Sequence, residues 1–410
     1  MTPTDRPALR HYLASQRARQ TELLAALVRD PSDNPPGDTA AHAARTAALL
    51  EARGLGVERH PVPGELVRAQ GLVSVTNLVA RRHFGAGPTV ALNAHADVVP
   101  PGEGWSCDPY GAVVRDGWMI GRGVAVSKSD IATYALAMLA LDHADATLRG
   151  SVELHVTYDE ESGGEVGPRW LLQSGITRPD LAIGAGFSYG VVNAHNGCLH
   201  LEVEVRGRSA HAAKPWTGVD ALAGATRILT ALYAWRENLA ARASAIPGIG
   251  APQLTIGLIA GGINTNVVPD RVTFRLDRRI VPEERADAVE AELRALITQA
   301  AGTVAGQDVQ IRRILLAEPL TPNPVAQPMT DLLCAHASRV MGEAVSAGGV
   351  PLYTDARHYA AAGVPIVLYG AGPHTIEEAN AHRADERLKL TDLYQATEVV
   401  ALTLADLLAA

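Results

Sequence analysis

Residues 89–100 read Thr-Val-Ala-Leu-Asn-Ala-His-Ala-Asp-Val-Val-Pro, an apolar run that closes on His95, Asp97 and Pro100. The run predicts a strand, and the Gly/Pro-rich stretch over 100–111 that follows it predicts a loop. A carboxylate two residues from a histidine can hold the imidazole in one tautomer, as the outer partners of metal ligands do. Taken alone the pair says little, because a histidine near a strand end more often serves structure than chemistry.

Outward from this point the chain alternates. Helices are predicted over 7–30 and 39–53, on either side of the polar, proline-rich segment 31–39. Strands are predicted over 72–81, 89–99 and 151–160, with a helix over 129–144. Such alternation implies an α/β domain with a mostly parallel central sheet covered on both faces. Near Cys198 the rhythm changes. Residues 199–207 alternate strictly between apolar and polar, as in a half-exposed antiparallel strand. A helix over 219–242, strands over 253–262 and 270–280, a helix over 282–301 and a strand over 309–317 complete a strand–helix–strand–strand–helix–strand series. A buried strand is expected within 364–370. The layout predicted is a catalytic α/β domain of residues 1–197 and 315–410, interrupted by a ferredoxin-like α+β domain of residues 198–314.

The composition suits such a chain. It has 410 residues, 47% hydrophobic and 20% charged, with a formal net charge of −8. That charge gives no electrostatic reason to expect nucleic acid or an anionic membrane as partner. Cys107, Cys198 and Cys334 are odd in number and far apart, which suits a reducing cytoplasm better than a disulfide framework. The start lacks the apolar core of a signal peptide, and no apolar run suggests a membrane span.

Three further patches join His95 and Asp97. Asp159-Glu160-Glu161 sits at the C-terminal end of a predicted strand, the edge where ligands gather in open α/β sheets. The others are 207–215, containing His211, and 381–388, containing His382. With Gly121-Arg122-Gly123, Lys128, Asn266-Val267-Val268-Pro269, Asp277-Arg278-Arg279 and Thr354-Asp355-Ala356-Arg357, the set resembles the acetylornithine deacetylase, succinyl-diaminopimelate desuccinylase, aminoacylase and glutamate carboxypeptidase family over nearly its full length.

The resemblance implies a zinc-exopeptidase-like fold, with the inserted domain as lid and dimerisation element. It also implies two zinc ions sharing a bridging carboxylate. His95 would bind the first ion, oriented by Asp97, while Glu161 and His382 would bind the second. Glu160 would be the general base, and His211 the lid histidine that stabilises the oxyanion in the partner's site. Asn266, Arg279, Thr354 and Arg357 would hold a substrate carboxylate, with His374 as a loop histidine near the pocket.

Two positions break the pattern. Val126 stands where the bridging aspartate belongs. Gly186, or Ala185 in the neighbouring register, stands where a later acidic ligand belongs. Neither can ligate through its side chain, so at most one zinc or other divalent ion is expected, held by His95, Glu161 and His382, or none at all. Asp130 could substitute for the bridge, although it reads better as an early-helix carboxylate favoured by the helix dipole. The leading expectation is hydrolysis of an amide in a small N-acyl amino acid or dipeptide-like substrate bearing a carboxylate, by a cytoplasmic homodimer. The alternatives are a metal-independent acid/base enzyme on the same fold, such as an epimerase, lyase, cyclase or amide-forming transferase, and an inactive metabolite-binding homologue.

Overall fold

A computed structural model describes residues 3–410, which form two compact units. The first comprises residues up to 193 together with 322–347 and 354–410; the second comprises 194–321 with 348–353. The second unit is thus wider than the predicted 198–314. The reason is pairing: His195 and Leu320 exchange backbone hydrogen bonds at 3.1 and 3.0 Å, and Gly349 donates to the Pro247 carbonyl at 2.7 Å. Backbone amides and carbonyls must find partners, and here they carry the boundary past the expected strand ends.

The large sheet runs in the order Val57–Pro61, Thr76–His83, Ser151–Thr157, Thr89–His95, Leu181–Gly184, Ile366–Leu368, Val191–His195, Ala347–Val350. Its four central strands, from Ser151–Thr157 to Ile366–Leu368, are mutually parallel; Thr76–His83 and Val191–His195 join them antiparallel. The mostly parallel expectation holds. Each central strand ends at the same edge of the sheet, followed respectively by Glu160 and Glu161, by Asp97, by Ala185 and Gly186, and by Gly370 and Ala371.

Lys128–Ala140 packs on Thr89–His95 and Ser151–Thr157, and against the helices Pro7–Val28 and Leu390–Leu407. All its residues but Leu139 are buried, as expected of a helix that is apolar almost all round. Its one lysine is buried too. Lys128 Nζ donates to the carbonyls of Leu27 (3.0 Å) and Asp30 (2.9 Å), satisfying groups that the end of Pro7–Val28 leaves unpaired. Burial pushes its ammonium down to about 8.

At the other side of the sheet, Glu153 accepts from Arg81 Nε (2.8 Å) and Thr177 Oγ1, and pairs with His155 Nε2 (2.9 Å). Burial alone would raise its pKa, but these partners, His155 first, hold it down at about 2. A depressed carboxylate contributes stability above its unfolded value and loses it as pH falls through the folded one. Discounted for solvent screening, the contribution is about 2 kcal/mol, lost between about pH 4.5 and 2. Glu153→Gln is expected to flatten the acid limb of a urea-midpoint profile. An unchanged limb would assign the acid sensitivity elsewhere.

The second unit has the predicted element order. Its sheet runs Gln253–Gly261, Arg271–Ile280, Gly197–Arg206, Asp308–Ala317, with all neighbours antiparallel. Leu199, Leu201, Val203 and Val205 pack with residues of the helices Ala221–Arg236 and Ala286–Ala301. The alternate residues His200, Glu202 and Glu204 stand on the other face. The first helix is shorter than predicted: it ends at Arg236 and continues as 3-10 turns over Glu237–Arg242. Among the described residues no helix is long and apolar enough to cross a membrane.

Candidate active site

Asp97 organises the edge of the large sheet. Fully buried, it accepts the backbone N–H groups of Glu160 (3.3 Å) and Glu161 (3.2 Å) and the side chain of Asn34 (2.9 Å). His95 Nδ1 lies 3.0 Å from the Asp97 carbonyl oxygen and 3.3 Å from Asp97 Oδ1. These acceptors put the proton on Nδ1 and leave Nε2 facing Glu160 Oε2 at 3.9 Å. His382, in the left-handed region (φ 61°), brings Nε2 to 3.2 Å from Glu161 Oε1.

Burial pushes Glu160 up to about 7, assisted by Glu161 and Asp97 and opposed by the His95 imidazole. His95 is subject to the opposite balance. Burial lowers it, but the surrounding carboxylates, Glu160 foremost, carry it well above its ordinary value. His382 is raised chiefly by its hydrogen bond to Glu161.

Several side chains able to ligate a divalent ion gather here. Ligand atoms of His95, Glu160 and Glu161 lie within 4.8 Å of one another; His382 adjoins this group through Glu161. The close trio therefore includes Glu160 where the sequence suggested His382. Val126 offers no side-chain donor, and its loop is held without one: Glu386 Oε1 accepts the N–H of Ala125 (3.0 Å) and Val126 (3.3 Å), while Glu386 Oε2 pairs with buried Arg122 at 2.6 Å. Ser127 ties the same loop to His95, accepting its N–H at 3.1 Å and donating to its carbonyl at 3.0 Å.

Gly186 is closed to any side chain. A Cβ there would lie 2.8 Å from Leu368 C and Tyr369 N. Of the two registers considered for the missing acidic ligand, only Ala185 has a side chain to extend. Asp130 does not fill the gap. Its Oδ1 accepts the Ala371 N–H at 2.6 Å, the Gly186 backbone bonds it as well, and burial pushes its carboxyl up to about 7. It sits so close beneath Gly370 that a Cβ there would lie 1.9 Å from Asp130 Oδ1.

The remaining predicted residues are spread wider. Arg357 is buried, and its Nη2 donates to the Gly163 carbonyl, bracing the turn that carries Glu160 and Glu161. Thr354 Oγ1 accepts the Ala356 N–H at 3.2 Å. His374 is exposed and stacks on Tyr189, ring centroids 4.5 Å apart. His211, Asn266 and Arg279 belong to the second unit. There His211 Nδ1 accepts the Ala213 N–H (3.1 Å), the Asn266 carbonyl accepts the Ala212 N–H (3.0 Å), and Arg279 Nε donates to Asp277 Oδ1 (3.0 Å).

Sequence reasoning missed Asp159 and Asp355. Both are buried and both are raised well above the carboxylate range, by burial first, then Asp159 by Asp355 and Asp355 by Glu160. Each lies inside a short motif, Asp159 before Glu160 and Asp355 after Thr354, where a further carboxylate carries no signal of its own. Asn34 gave no signal at all, since a polar residue between prolines reads as linker.

The model of peptidase family M20/M25/M40 matches residues 91–406, and the chain belongs to that family. Succinyl-diaminopimelate desuccinylase of Methylobacterium nodulans is 31% identical over 399 residues, covering 92% of this chain and 93% of the relative. The M20 family metallo-carboxypeptidase Sso-CP2 of Sulfolobus solfataricus shares the fold with a TM-score of 0.75, at 16% identity over 94% of this chain and 98% of its own. So does the Bacillus subtilis YXEP protein, a dinuclear metal-binding peptidase of the M20 family, with a TM-score of 0.68 at 17% identity, covering 96% and 99%. The chain is an enzyme of the amidohydrolase or metallopeptidase type, and divalent metal is the cofactor class of its family.

Proposed function

We propose that this chain hydrolyses the amide bond of a small N-acyl amino acid or dipeptide-like substrate, with at most one divalent ion. The observation that supports this most is the meeting of His95, Asp97, Glu160, Glu161 and His382 at the ends of parallel strands. A bound ion would polarise the scissile carbonyl. Asp97 fixes the tautomer of His95 and, through two backbone N–H groups, the placement of both glutamates. Glu160 takes a proton from the attacking water and returns it to the leaving amine. Arg357 keeps the turn beneath these glutamates from shifting.

A second reading has a specific support: the loop at Val126 is held by Glu386 and Arg122 and needs no ion for its shape. In that reading the same cluster moves protons without metal. Elemental analysis of unchelated protein, paired with turnover of N-acyl amino acids and dipeptides before and after chelation, separates the two. About one ion per chain with chelation-sensitive hydrolysis supports the first. Metal-free protein whose activity survives chelation removes it.

The partner proposed for the second unit is another copy of this chain. Support comes from Leu258 and Ile259, 61% and 56% exposed on the edge strand Gln253–Gly261, where an outer strand edge with apolar side chains invites pairing. A monomeric mass by light scattering would remove this part of the proposal.

A further inference from the structure

The second unit carries a cluster of metal-ligating side chains that the catalytic reading does not use. Cys198 and His200 lie on the strand Gly197–Arg206, and Asp277 and Arg279 on Arg271–Ile280. The register pairs Asp277 with His200 and Arg279 with Cys198, so two cross-strand pairs share one face of the sheet. That face is opposite the one where Leu199, Leu201 and Leu276 pack against the helices.

Sγ of Cys198, a ring nitrogen of His200 and a carboxylate oxygen of Asp277 all lie within 4.8 Å of one another. His200 Nε2 is 3.1 Å from Asp277 Oδ2. Arg279 Nε occupies the other oxygen, Oδ1, at 3.0 Å, and so orients the carboxylate without covering Oδ2. Cys198 is fully buried, while the side chains of His200 and Asp277 are 34% and 29% exposed. The sulfur is therefore the innermost donor, and the cluster opens to solvent on its nitrogen and oxygen side.

We propose that Cys198, His200 and Asp277 form a site for a borderline-soft divalent cation of the zinc or cobalt class, separate from the carboxylate-rich cluster of the first unit. One thiolate, one imidazole and one carboxylate make the three-ligand set of an open tetrahedral site, leaving a fourth position for water or an anionic oxygen ligand. Tetrahedral bonds of the usual lengths set donor atoms roughly 3.3–3.8 Å apart, so a small closure of the trio suffices. Strands placed by a full antiparallel register hold the donors better than a loop would. The cation replaces the proton shared between His200 and Asp277, and its binding releases the Cys198 proton to solvent. None of this depends on the catalytic reading.

Cobalt(II) titration of the full-length protein tests the site, because sulfur ligation gives a near-ultraviolet charge-transfer band that the sulfur-free cluster of His95, Glu160 and Glu161 cannot produce. The expected result is a saturable band corresponding to one cobalt per chain, abolished in Cys198→Ser and weakened in His200→Gln. It should persist in Cys107→Ser and Cys334→Ser, and in Glu161→Gln, which impairs only the other cluster. Circular dichroism confirms that each variant is folded; should Cys198→Ser not fold, His200→Gln and Asp277→Asn carry the same comparison. Absence of the band in wild-type protein overturns the proposal, as does a band that survives loss of Cys198 or, in folded protein, is unchanged without His200 and Asp277.

Discussion

Glu160→Gln is expected to lower kcat for amide hydrolysis roughly 10³-fold while leaving KM within about threefold. Glutamine keeps the size of the side chain, and the backbone N–H that Asp97 accepts is untouched. What disappears is the carboxylate that can take a proton from water and return it to the leaving amine. Glu161→Gln should behave differently: its partner is His382 at 3.2 Å, and its loss should show first as weakened metal retention. Retention of more than about a tenth of wild-type kcat by Glu160→Gln would show that another group is the base.

The double variant Val126→Asp, Ala185→Glu is expected to raise bound metal from one ion per chain at most towards two. Val126 is the bridging position of the family resemblance and Ala185 the neighbouring-register choice for the later ligand, and the Val126 loop already has its shape from Glu386 and Arg122. Replacing Gly186 in place of Ala185 should fail in a distinct way. Its new Cβ would lie 2.8 Å from backbone atoms of Leu368 and Tyr369, so the strand Ile366–Leu368 must move. A cost of about 1–3 kcal/mol in stability, with no second ion, is the expected result. Metal counts and urea midpoints on both variants decide the register; a second ion gained through Gly186→Glu alone would reverse it.

Much of the candidate site was legible because it lies in short motifs at strand ends. His95 and Asp97 are two residues apart, and Glu160 and Glu161 are adjacent, so their cooperation needs only a strand before them. Val126 was legible as a position without a side-chain donor for the same reason, from its place in the segment between Gly121 and Lys128. Residues whose roles depend on distant backbone were harder. Arg357 reads as a holder of a substrate carboxylate, and that its Nη2 also donates to Gly163 is set by distant backbone. Asp130 reads as a first-turn carboxylate and is one, but its bond to the Ala371 amide depends on a segment far away in the chain. His374 reads only as a loop histidine near the pocket, and its stacking on Tyr189 is set by the fold.

Local periodicity determined the parallel core and the inserted strand–helix–strand–strand–helix–strand segment, and motif order with the family resemblance gave the residues available for chemistry. These follow from side-chain alternation and from which residue types can ligate or move protons, properties each stretch carries by itself. Only the tertiary structure decided that Glu160 stands in the close trio with His95 and Glu161, that Gly186 has no space for a side chain, and that Cys198, His200 and Asp277 share a face. Those outcomes depend on separations of a few ångströms between residues far apart in the chain, set by sheet order and strand register, which no single stretch of sequence contains.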